Sequence, residues 1–230
     1  MKCFSDSLRL RAETLAMAYT YTHKYAYHVR AHAGADLLDA HTLALASLSL
    51  ATKATESPRR LREFLVPAHS LLHAPPAPAL TFPSARYDAL RATLVAAELL
   101  LLRVLRFDIR LPLAFDYLPR MLERALAAEG TDHFDNLRDD ERAEIAVVDP
   151  ADTALGRAVW ERAADAACSY RLVNLFPART VAVACVFVVL EERGVEAVGD
   201  PEVWVKKLTG GRVEFGDFEE AVVEVRELRR

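Results

Sequence analysis

His28 with His32, and His69 with His73, have the i, i+4 spacing that can set two imidazoles on one helix face and hold a metal. A metal centre needs further ligands, and none falls at a matching interval, while seven histidines in 230 residues give such pairs by accident. No metal or other cofactor is therefore expected. Arg59, Arg60 and Arg62, with Arg9 and Arg11, could meet the phosphates of a nucleic acid or of a phosphorylated protein loop, and they fit a solvated helix start equally well. Nothing points to catalysis: the eight glycines build no phosphate-cradling loop, and no Ser, His and Asp set has interpretable spacing. Glu98 is different. It interrupts the apolar run Leu94–Leu102, where packing favours leucine and a carboxylate needs a partner.

The elements that must position these residues announce themselves by repetition. The stretch His41–Thr52 (His-Thr-Leu-Ala-Leu-Ala-Ser-Leu-Ser-Leu-Ala-Thr) has a counterpart 138 positions on, in Arg179–Leu190 (Arg-Thr-Val-Ala-Val-Ala-Cys-Val-Phe-Val-Val-Leu). Each sets a threonine before apolar-Ala-apolar-Ala and then a turn of apolar and small residues, the composition of a helix packed on every side with neighbours close to its backbone. A buried central helix occurring twice implies a duplicated all-helical unit, an architecture that more often binds partners than houses chemistry. With 52% apolar residues the chain can bury one large core or two smaller ones. Helices are expected near 13–28, 38–55, 58–70, 84–106, 112–128, 150–170, 177–193, 200–208 and 215–229, and Arg212–Phe215 is too short to count as a strand. Ser57-Pro58, Asp149-Pro150 and Asp200-Pro201 each pair a capping side chain with a proline at the first helical position. Residues 74–78 are expected to form an extended loop, and the acidic stretch Glu129–Asp149 an exposed connection inside the second bundle.

The net charge of −4 argues against nucleic acid as a direct partner, and no apolar run approaches the ~20 residues of a membrane span. Cys3, Cys168 and Cys185 are an odd set without CxxC spacing and read as reduced, buried thiols of an intracellular protein. Trp160, Trp204, Tyr19, Tyr21, Tyr25 and Tyr27 read as core or helix-interface aromatics.

Three segments in order, Thr14–Tyr25, Ala51–Arg62 and Ala97–Phe107, resemble successive helices of a cyclin box. The resemblance extends over nearly the whole chain and is closest to the transcription-associated cyclins of types M or Q, L and K. It implies an all-α fold of two consecutive cyclin boxes, residues 1–110 and 111–230, the first lacking most of its opening helix because only Met1–Ser7 precede Leu8. It also implies a nuclear, non-catalytic subunit that forms a heterodimer with a cyclin-dependent kinase and activates it. The family's kinase-clasping lysine and glutamate match Lys53 and Glu98, an acidic position matches Glu56, and the apolar contacts match Leu102 and Ile109. The plainer alternative is a Lys53–Glu98 bridge that only secures a helix packing. The pattern departs from the family's apolar-Glu-Glu at Ala54, where the apolar residue is small, and at Thr55, where an acid is lost. Two other function classes remain open: a core of the general transcription factor type that binds DNA through a basic face, and a scaffold that has lost its kinase.

Overall fold

A computed structural model of the chain describes residues 1, 5–6, 8–32, 38–73, 78–129, 152–194 and 200–228, the side chains of 126–129 excepted. The fold is all-helical, with no strand among the described residues. The chain divides into two compact units, Met1–Leu111 and Pro112–Arg230.

In the first unit, α1 (Ala12–Ala31), α2 (Ala40–Ala54), α3 (Leu61–Leu72) and α4 (Ala85–Val104) follow in order, and α2 is packed by the other three. The sequence of α2 permits this because its polar residues are small and satisfied at short range. Thr52 Oγ1 donates to the Ser49 carbonyl at 2.8 Å, and Thr22 of α1 donates to Ser47 Oγ at 3.2 Å. Ala46, Leu48, Leu50 and Ala51 complete the buried surface. Asp39 starts the helix by accepting from the His41 and Thr42 amides at 3.0 Å.

The second unit opens with a 3-10 turn, Ala114–Asp116, followed by α5 (Leu118–Glu129), α6 (Ala154–Ala167), α7 (Tyr170–Leu175), α8 (Ala178–Glu192), α9 (Pro201–Thr209) and α10 (Phe215–Glu227). Here α8 is central, against α5, α6, α9, α10 and the 3-10 turn. Ala182, Val183, Ala184, Cys185 and Val186 are all fully buried, and burial pushes the Cys185 thiol up to about 12, so it stays protonated. Ala46 and Ala184, which hold the same place in the repeated pattern, are each 0% exposed.

Several expectations change in detail. Helix α3 begins at Leu61 instead of Pro58, because Ser57 is spent closing α2; Glu63 reaches back to the Arg60 amide at 3.2 Å as the actual N-terminal lock. The region 112–128 is a 3-10 turn and a helix, and 150–170 is broken at Cys168–Ser169, where Ser169 accepts from the Leu172 amide and starts α7. Asp200-Pro201 caps α9 as expected, while Asp149-Pro150 lies outside the described residues, as do Cys3, 74–77 and 130–151. Cys168 is exposed at the end of α6 instead of buried, and Tyr27 is 55% exposed instead of core.

Candidate partner-binding site

Lys53 lies in the last turn of α2, where the helix dipole favours a cation, and α4 packs beside it with Glu98 in its C-terminal half. Its Nζ donates to both carboxylate oxygens of Glu98, at 2.8 and 2.7 Å. The two partners are unequally wet. The Glu98 side chain is 9% exposed, among buried Leu94, Ala97 and Leu101, whereas that of Lys53 is 48% exposed. Of its three N–H bonds, Lys53 spends two on Glu98 and leaves one facing outward.

The two helices end alike. After α2 the Glu56 amide bonds to the Lys53 carbonyl and the Ser57 amide to that of Thr52, with Glu56 at φ 55°. After α4 the Arg106 amide bonds to the Arg103 carbonyl and the Phe107 amide to that of Leu102, with Arg106 at φ 53°. Both are Schellman closures with a side-chain-bearing residue where glycine is usual. The first turns Glu56 outward to meet Arg110 at 2.7 Å in a pair whose members are 78% and 71% exposed. The second leaves Phe107 65% exposed and leads to Ile109, whose carbonyl accepts a short hydrogen bond from the fully buried Tyr21 hydroxyl. Burial, with the charge of Asp108, raises the Tyr21 pKa above its ordinary value, so it remains a donor. Leu102 and Ile109 are half-buried.

Lys53, Glu98, Leu102 and Ile109 thus lie on or just beyond two adjoining helices, and Glu56 closes the end of one of them. The sequence reasoning missed Val95 and Leu99, 48% and 44% exposed, which continue with Leu102 at i, i+4, i+7 as an outer apolar stripe on α4. Their signal was available: the run Leu94–Leu102 carries more apolar residues than one helix face can bury. Also missed was Arg162, which is 0% exposed in α6 and bonds both oxygens of Glu192 at 2.7 and 2.8 Å.

The other polar clusters do not join this group. His28 and His32 stack with centroids 4.2 Å apart, and His69 and His73 tilt at 4.5 Å; no set of three metal-binding side chains occurs among the described residues. Burial, then the charges of Arg86 and His73, holds His69 below the usual imidazole range. Arg9, Arg11, Arg59, Arg60 and Arg62 are all exposed. No described helix is long and apolar enough to cross a membrane.

Residues 1–110 match the family described as cyclin, N-terminal domain. No curated protein matches the chain. Among solved structures, a chain from the crystal structure of the yeast RNA Pol II CTD kinase CTDK-1 complex aligns with a TM-score of 0.66 and 14% identity. The alignment covers 98% of this chain and 61% of that one, so the present chain spans less than two thirds of its length. At that identity the likeness is one of fold. The first unit, with its central α2 and the Lys53–Glu98 contact to α4, coincides with the matched residues, and this unit of the chain is a cyclin N-terminal domain.

Proposed function

We propose that the chain is a non-catalytic regulatory cyclin that binds a cyclin-dependent kinase as a heterodimer and activates it, in the nucleus and on the transcription-associated branch. The observation that carries this is the Lys53–Glu98 pair within the matched cyclin domain. The pair offers a partner one spare ammonium N–H beside a carboxylate with lone pairs to share. Around it, Leu102 and Ile109, extended by Val95, Leu99 and Phe107, supply the apolar contact that fixes a docked kinase segment. Glu56 can exchange Arg110 for a kinase cation at little cost, because so exposed a pair contributes ~1 kcal/mol or less. The second unit is read as a second box of the same kind. The transcriptional assignment draws on the kinase complex named above, one chain of which shares this fold.

Pull-down of candidate kinases by the full chain, with circular dichroism on each variant, tests this. Losing one member of a desolvated charged pair at an interface costs ~2–5 kcal/mol, so Lys53→Ala weakens kinase binding by more than about tenfold. Arg60→Ala, on an exposed face, is the control and changes binding little. Retained binding by both Lys53→Ala and Glu98→Ala, at normal helicity, would sink the assignment and leave the pair as helix packing.

A further inference from the structure

A concavity of about 330 Å³ in the second unit gathers arginines from three separate parts of the chain. Arg120 and Arg124 lie one turn apart on α5, Arg179 sits in the first turn of α8, and Arg212 follows the glycine turn that ends α9. Facing them is a single carboxylate, that of Asp116, which is already engaged in accepting from the Leu113 amide at 2.7 Å. None of the four guanidiniums forms an ion pair among the described residues. Four guanidiniums around one hollow, against the one carboxylate of Asp116 in its described lining, repel one another and raise its affinity for an anion.

The hollow is partly built. Arg179 lies over the Tyr117 ring, its Cζ 4.9 Å from the centroid, a cation–π contact that holds the guanidinium at the hollow. Arg124 is anchored by donating to the Leu208 carbonyl at 2.8 Å, which also answers the electronegative end of α9. Beside them the chain turns through Gly210 and Gly211, at φ 67° and 72°, without adding a side chain to the opening. Arg179 in addition occupies the positive end of the α8 dipole.

From this geometry we propose that the second unit binds a phosphate monoester, the group carried by a phosphorylated serine or threonine side chain. A monoester is close to doubly negative at neutral pH and offers three acceptor oxygens, which suits several guanidinium forks converging on one small volume. A nucleic acid spreads single charges along a strand and needs an extended basic track, whereas here the basic residues close on one point of a chain whose net charge is −4. The proposal is independent of the kinase assignment, since every residue in it belongs to the second unit.

Fluorescence anisotropy with the full chain provides the test, using a short labelled phosphothreonine peptide with neutral flanks, its unphosphorylated twin, inorganic phosphate as competitor and a single-stranded oligonucleotide. The phosphopeptide is expected to bind at least about tenfold tighter than its twin and to be displaced by inorganic phosphate. Its binding should strengthen as pH rises through the second phosphate ionisation, at about 6. Arg120→Gln and Arg212→Gln, both at exposed positions, should each weaken it severalfold without loss of helicity, and Arg179→Lys should weaken it through loss of the planar fork. Equal binding of the two peptides overturns the proposal. So does phosphopeptide binding that survives all three substitutions, or an oligonucleotide that binds tighter than the phosphopeptide in the same arginine-dependent way.

Discussion

Lys53→Met and Glu98→Leu, made singly and together, ask how much the α2–α4 contact owes to its ion pair before any partner arrives. An exposed pair is worth ~0.2–1 kcal/mol, and breaking a fully buried one costs ~3–5 kcal/mol. This pair lies between, and unevenly. Glu98 is nearly dry, so removing Lys53 leaves a carboxylate among Leu94, Ala97 and Leu101 with nothing to replace the two bonds at 2.7 and 2.8 Å. Lys53 is half in water, so removing Glu98 lets the ammonium solvate freely. We therefore expect Lys53→Met to cost ~1–3 kcal/mol, the usual penalty for stranding a buried acceptor. Glu98→Leu should cost less, because it continues the apolar run on either side, and the double variant should lie close to wild type. Urea denaturation followed by circular dichroism gives all four stabilities, and the cycle gives a coupling of about 1 kcal/mol or more. A coupling within ~0.3 kcal/mol of zero, or a Glu98→Leu variant less stable than Lys53→Met, would refute the reasoning.

The two central helices carry matching alanines at 0% exposure, so Ala46→Leu and Ala184→Leu should each destabilise by ~1–3 kcal/mol through overpacking, read by thermal unfolding of each variant. Glu192→Ala strands the fully buried Arg162 guanidinium and should cost up to ~3 kcal/mol, whereas Arg162→Met, which removes the charge itself, should cost less; the reverse order in denaturant titrations would contradict the burial argument. Asp39 has its pKa held down, first by the Thr42 side chain and then by the Thr42 amide, so its stabilisation is full above the unfolded value of 3.8 and fades as pH falls through the lowered folded value. Asp39→Ala should accordingly cost ~1 kcal/mol near neutral pH and converge on wild type in an acid titration.

The parts legible in the sequence were those that a single continuous pattern specifies. Helices α2 and α8 declare themselves because burial on every side demands apolar and small residues without a break, and Glu98 declares itself as the one charge inside such a run. Helix α3 was misplaced by three residues because Ser57-Pro58 has the chemistry of a cap, yet the Ser57 amide is committed to the Thr52 carbonyl in closing the previous helix. Two valid local signals competed there, and only the tertiary path chose between them. The break at Cys168–Ser169 was hidden because alanine-rich sequence supports helix on both sides of it. Arg162 gave no warning either, lying between Glu161 and Ala163 in a stretch that also carries Asp165. The four arginines of the hollow share no local spacing beyond the step from Arg120 to Arg124, so only the fold reveals that they converge.

Glu56 and Arg106 hold left-handed conformations that cost an ordinary residue ~1–2 kcal/mol and glycine almost nothing. Selection for folding and selection for partner binding should therefore agree at position 106 and disagree at position 56. A deep mutational library sorted for cellular abundance should enrich glycine at both, since relief of the backbone offsets the weak Glu56–Arg110 pair. The same library sorted for kinase capture should deplete glycine at position 56, where the carboxylate is the proposed contact, while leaving position 106 tolerant. The divergence between the two sorts would map partner recognition on this chain without a structure of the partner.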